Sequence, residues 1–191
     1  MPRTPFFSTT LVVLKFTDQI FLNPPHDCSL PSLRILQLSY VKYVNHNSLS
    51  TLLAACLLLQ DLTLKMSESD LKYMDKNAAK FNIIVLIAPL KRLLFSSNAN
   101  SSSYKLQINT PALEYFNFLA DLGGHIVLEN QNLPNLFELV IGIRSRMSIQ
   151  NYANRIWDVV SMDMWISTAH VREHYIFCAL NSQSLVKLPN T

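Results

Sequence analysis

Within Leu30-Pro31-Ser32-Leu33-Arg34-Ile35-Leu36-Gln37-Leu38, the last six residues read L-x-x-L-x-L, with leucine at 33, 36 and 38. Leu36-Gln37-Leu38 alternates apolar and polar side chains, the pattern of a short strand with one buried face. Such a strand cannot bury that face by itself. The same spacing, with Phe or Ile allowed for Leu, recurs at Leu11-Leu14-Phe16, Leu59-Leu62-Leu64, Leu90-Leu93-Phe95, Leu113-Phe116-Phe118 and Leu136-Leu139-Ile141. From Leu11 onward the first anchors are separated by 22, 26, 31, 23 and 23 residues.

These spacings centre on about 25 residues, the period of leucine-rich repeats. In such an array each L-x-L lies on a short strand whose alternate side chains point inward, and stacked strands form one parallel sheet. Six tandem units share a continuous core. Proline precedes four anchors, at Pro31, Pro89, Pro111 and Pro134. Its fixed φ and missing N–H suit a strand start.

The return segments differ. Asn47-Ser48-Leu49-Ser50-Thr51-Leu52-Leu53-Ala54-Ala55 opens with capping-type residues and continues into helix formers, which predicts a helix on the convex side. Ile83 to Ile87 and Tyr104 to Ile108 are β-rich and predict extended returns. The spacing of 31 reflects a polar insertion around Ser67 to Lys80, and Ser96 to Ser103 reads as a loop. Residues 1–143 are expected to form the array. Residues 144–191 are expected to form a degenerate C-terminal repeat and helical flank, helical over Ala169 to Leu180 and with a weak seventh strand at Leu185 to Leu188. The array begins almost directly with Leu11-Val12-Val13-Leu14, which predicts an apolar edge strand.

Composition agrees with a solenoid and excludes several function classes. The chain has 191 residues, 49% hydrophobic and 15% charged, and a mean hydropathy of +0.17. That is too apolar for a disordered chain. The longest strictly apolar run, Leu52 to Leu59, is far short of the roughly 18 residues a membrane-spanning helix needs. Sixteen basic and 13 acidic residues give +3 with neither sign concentrated, unlike a nucleic-acid footprint. Cys28, Cys56 and Cys178 show no CxxC spacing, so no disulfide framework follows. No secretory signal is evident in Met1 to Thr10. An intracellular protein, cytoplasmic or nuclear, is expected.

Several stretches together resemble the repeat portion of plant F-box proteins of the FBD/LRR type. They are Leu11-Val12-Val13-Leu14-Lys15-Phe16, Cys28 through Leu38, Ser48 through Cys56, Ala88-Pro89-Leu90-Lys91-Arg92-Leu93, Thr110-Pro111-Ala112-Leu113-Glu114-Tyr115 and Asn132-Leu133-Pro134-Asn135-Leu136. The resemblance covers about residues 11–143 well and the remainder loosely. It implies the substrate-recognition part of an SCF-type ubiquitin ligase, in which an F-box docks on a Skp-type adaptor and the repeats select the target. Neither an F-box before Leu11 nor an FBD segment is recognised here. The adaptor is therefore expected to bind only where a longer form supplies the F-box. The alternative is a stand-alone repeat scaffold or a non-functional fragment, unconnected to ubiquitin.

Enzyme signals are poor, and no catalytic residue or cofactor is expected. Three glycines, Gly123, Gly124 and Gly142, cannot assemble a dinucleotide fingerprint or a phosphate loop. His170, His174 and Cys178 would line one face of a helix, but i and i+8 lie about 12 Å apart along its axis, too far for one helix to close a zinc site. No metal is expected. Cys56 falls in the inward phase as a small buried hydrophobe. Trp157 and Trp165 are expected to pack the C-terminal flank.

The best candidate surface is the concave face. One outward row is Val13, Ile35, Asp61, Arg92, Tyr115 and Glu138, and the next is Lys15, Gln37, Thr63, Leu94, Asn117 and Val140. Tyr and Arg are enriched at binding hot spots. Lys15, Asp61, Arg92, Tyr115, Asn117 and Glu138 are the residues expected to contact an unknown protein target.

Overall fold

The structure, a computed structural model, describes residues 4–18, 20–71, 81–98, 104–121, 125–128, 135–144, 168–172 and 175–181. Each L-x-x-L-x-L unit supplies one strand of an eight-stranded sheet: β1 (Val13–Thr17), β3 (Ile35–Ser39), β5 (Asp61–Met66), β7 (Arg92–Ser97), β9 (Tyr115–Asp121) and β11 (Glu138–Arg144). All six run parallel, each paired with the strand of the next repeat. β1 and β5 alternate outward and buried residues along their length, as a sheet with one covered face requires.

The strand register stacks the leucines into two inward columns. Leu14, Leu36, Leu62, Leu93, Phe116 and Leu139 form the first, and Phe16, Leu38, Leu64, Phe95 and Phe118 the second; all are buried. Full burial of one such side chain is worth roughly 1.5–3 kcal/mol, so the columns dominate the stability of the array. Phe95 and Phe118 stack with ring centroids 5.5 Å apart and planes 6° from parallel.

In four of the units the first anchor closes a turn, two residues ahead of the strand. Backbone N–H groups of Leu33, Leu59, Leu90 and Leu113 donate to the carbonyls of Leu30, Cys56, Ile87 and Thr110. Pro31 and Pro111 take the first central position of their turns, where φ near −65° is at home, and Pro89 takes the second, so these prolines lie in turns instead of opening strands. Pro134 lies outside the described residues. After each turn one carbonyl of the preceding repeat accepts two successive N–H groups. Val12 does so for Arg34 and Ile35, Arg34 for Gln60 and Asp61, Gln60 for Lys91 and Arg92, Lys91 for Glu114 and Tyr115, and Glu114 for Phe137 and Glu138. This repeated clasp fixes the register that the sequence period only implies.

The convex layer changes character along the array. The strands β2 (Phe21–Leu22) and β4 (Lys42–Tyr43) pair in parallel, and helix α1 (Ser48–Ala54) follows. α1 buries Ser48, Leu49, Leu52 and Leu53, the i, i+3, i+4 stripe of an amphipathic helix. Asn47 makes no side-chain cap; Asn45 Oδ1 accepts from the Asn47 N–H at 2.9 Å instead. Later returns are extended: β6 (Phe81–Val85), β8 (Tyr104–Ile108) and β10 (His125–Leu128) form a second parallel sheet in the order β10-β8-β6. The polar insertion after Met66 begins as a short helix, α2 (Glu68–Leu71), and residues 72–80 are outside the described set.

Two expectations need correction. Ser96 and Ser97 belong to β7 and not to a loop, because β9 offers them ladder partners at Leu119 and Ala120. Ala169 to Leu180 is not helical: β12 (Thr168–Arg172) and β13 (Tyr175–Asn181) form an antiparallel pair, and β13 runs antiparallel along β11. The stretch Tyr175-Ile176-Phe177-Cys178 is rich in aromatic and β-branched residues, and the open edge of β11 resolves an ambiguous pattern toward strand. As expected, β1 is an edge strand of the large sheet with Val12 and Val13 exposed, and the core beneath it is covered. A 3-10 helix (Thr4–Phe7) buries Phe6 against Phe16, 6.2 Å between ring centroids, and the Phe6 carbonyl accepts from Ser29 N–H. Leu185 to Leu188, Trp157 and Trp165 lie outside the described residues.

Candidate functional site

Strand alternation turns every second side chain onto the open, concave face of the large sheet. The observed register aligns Val13, Ile35, Asp61, Arg92, Tyr115 and Glu138 as one row across six strands. It aligns Lys15, Gln37, Thr63, Leu94, Asn117 and Val140 as the next. Thr17, Ser39, Lys65, Ser96 and Leu119 form a third row.

The centre of this face is tied together by polar contacts. Arg92 grips Asp61 with two parallel hydrogen bonds, Nε to Oδ1 at 2.6 Å and Nη2 to Oδ2 at 2.9 Å. This fork on a carboxylate is the geometry guanidinium favours. Hydrogen bonding to Asp61, and then its charge, raises the Arg92 pKa above the ordinary value. The Arg92 side chain is nevertheless 66% exposed, so the pair orients the guanidinium while leaving it accessible. One strand further on, Asn117 Nδ2 donates to the Tyr115 hydroxyl at 3.0 Å. At the turn rim, Lys91 Nζ pairs with Glu114 Oε1 at 2.9 Å.

Asp61, Arg92, Tyr115 and Glu138 are therefore consecutive neighbours, with Asn117 one row above Tyr115. Lys15 shares a row with Asn117 but sits four strands away, roughly 19 Å at the usual strand spacing, and is not part of that cluster. Sequence reasoning stopped at two rows and missed Lys65, which the same alternation places two residues beyond Thr63. It also missed Tyr40, just past β3. Tyr40 has φ 57° and Asp18, at the same repeat phase past β1, has φ 40°. A bulky non-glycine residue in the left-handed region costs roughly 1–2 kcal/mol, and nothing in the residue type signals it.

The remaining candidates do not assemble a chemical site. Cys56 is buried, and its Sγ donates to the Leu52 carbonyl at 3.1 Å. Desolvation, with a smaller contribution from Cys28, pushes its thiol up to about 12, which removes the thiolate a nucleophile requires. In the C-terminal pair, His170 is aligned with Phe177 and Cys178 with Ala169, and His174 is outside the described residues. The helical face that was to carry those three groups does not exist. Among the described residues, no group of three His, Cys, Asp or Glu could hold a metal ion. No helix among them is long and apolar enough to cross a membrane.

Comparison with known proteins agrees with this architecture. The family model described as Leucine Rich Repeat matches residues 32–57. The chain is 35% identical over 144 residues to an F-box/FBD/LRR-repeat protein of Arabidopsis thaliana, covering 75% of this chain and 30% of the relative. It is 34% identical over 141 residues to an FBD-associated F-box protein of the same plant, covering 74% and 26%. A second FBD-associated F-box protein is 32% identical over 143 residues, covering 75% and 32%. The chain thus spans about a third or less of the length of these relatives. No solved structure matches it significantly.

Proposed function

The chain is a leucine-rich-repeat protein similar to the F-box/FBD/LRR-repeat proteins of plants, and on that premise we propose that its concave sheet face recognises a target protein. The supporting observation is the row Asp61, Arg92, Tyr115, Glu138, with Asn117 above it. It sets an oriented, accessible Arg beside a half-buried Tyr on a rigid sheet. Binding energy concentrates in a few such Arg and Tyr side chains, and a sheet holds them with little ordering cost. The action is binding and not catalysis.

Target recognition serves ubiquitin transfer in this reading: the repeats hold the substrate, and an F-box joined to them engages a Skp-type adaptor. The reading draws on the F-box names of the relatives. The test compares adaptor capture by residues 1–191 with capture by the same residues joined to an F-box. Capture by the joined form alone is expected. Adaptor binding by residues 1–191 themselves would overturn the division of labour.

A further inference from the structure

The part of the concave face carried by β1, β3 and β5 differs from the Arg92–Tyr115 centre. Of its outward positions only Asp61 is acidic, and Arg92 occupies both Asp61 oxygens. Two lysines remain: Lys15, exposed in the second row, and Lys65, half-buried in the third. Neither makes an ion pair among the described residues. Gln37 and Thr63 lie between them, and Gln37 Nε2 donates to Ser39 Oγ at 3.4 Å. Asp18, exposed just past β1, offsets one of the two charges and leaves the patch positive.

The strained Tyr40 belongs to the same place. Its backbone N–H donates to the Lys65 carbonyl at 2.8 Å, which pins it at the end of the third row, and the residue is 41% exposed. Strained residues held by their surroundings concentrate at binding sites. The patch therefore joins two cations, an amide, hydroxyls and a phenol on one rigid surface.

We propose that this β1–β3–β5 patch of the concave face binds an acidic, extended segment of the partner protein, with Lys15 and Lys65 meeting its carboxylates. The inference rests on the concave face being the recognition surface and names the chemistry of what it takes. Two strands and two residues separate the lysines, roughly 12 Å from the strand spacings. An extended segment rises about 3.3 Å per residue, so carboxylates about four residues apart match them.

The test uses the full chain and a fluorescein-labelled glutamate-rich peptide, with its glutamine counterpart as control, followed by anisotropy. The glutamate peptide should bind, and binding should weaken roughly tenfold in the Lys15→Glu, Lys65→Glu double variant. It should also fall with added salt. The charge-matched Arg34→Glu, Lys42→Glu variant should bind like the parent chain. Equal binding of the glutamine peptide, unchanged binding by the Lys15/Lys65 variant, or no binding of the glutamate peptide would each overturn acid recognition. Tyr115→Ala separates this from the broader reading. If it abolishes capture of a plant target while the lysine variant does not, the concave face binds and only the acidic assignment is wrong. If neither alters capture, the concave-face reading itself fails.

Discussion

Arg92 holds both carboxylate oxygens of Asp61 although the two residues are 31 positions apart, because repeat stacking makes them neighbours in one row. With two-thirds of the Arg92 side chain in solvent, water screens the pair and its value to the fold is small. A double-mutant cycle on Asp61→Ala and Arg92→Ala should give a coupling of about 0.5–1 kcal/mol at low salt, fading in about 1 M salt. A coupling that persists in high salt would show that the pair is structural and not an oriented surface group.

The stacked Phe95–Phe118 pair predicts the opposite balance. Both rings are buried in the second inward column, so Phe95→Ala should cost about 3–5 kcal/mol, read from denaturant midpoints. Phe95→Leu should cost less than half of that. A loss below 1 kcal/mol for the alanine variant would place Phe95 outside the core.

Thr110 stands where other repeats place Leu30, Cys56 and Ile87, at the start of the turn. Its side chain is buried, and Oγ1 has no hydrogen-bond partner among the described residues. Thr110→Val keeps the shape and removes a desolvated hydroxyl, and should stabilise by about 1 kcal/mol. Destabilisation by a similar amount would mean that the hydroxyl is satisfied.

Cys56 makes stability fall in alkali. Its thiol is raised from the ordinary 9.0 to about 12 by burial, so above pH 9 the unfolded chain loses this proton while the folded chain keeps it. The stabilisation is complete below pH 9 and is lost as pH rises toward 12, at up to about 1.4 kcal/mol per pH unit. Cys28, also raised by burial, adds to the same trend. Comparing denaturant midpoints at pH 8 and pH 10, the drop should be smaller in Cys56→Ala than in the parent chain. Equal drops would contradict a buried neutral thiol.

The inward columns and the two outward rows were legible because a period of two within each strand and about 25 between strands leaves few registers. The extended return at 104–108 was legible for the same reason, whereas the one expected at 83–87 runs over Phe81–Val85. The pairing of β13 with β11 was not, since Tyr175-Ile176-Phe177-Cys178 satisfies strand and helix patterns alike until a free edge is available. Ser96 and Ser97 looked like loop residues because their strand character comes from their neighbours in β9. Tyr40 was invisible for a further reason. Left-handed backbone is signalled by glycine or asparagine, and here hydrogen bonding to Lys65 imposes it on an aromatic residue.

The central claim, that the concave face recognises a protein, is tested most directly by affinity capture from plant extract. The chain is compared with Arg92→Ala, Tyr115→Ala on the concave face and with Ser50→Ala, Ala54→Ser on the exposed side of α1. The account predicts a partner retained by the parent chain and the α1 variant and lost, by roughly tenfold or more, from the concave variant. The same partner retained equally by all three would contradict it.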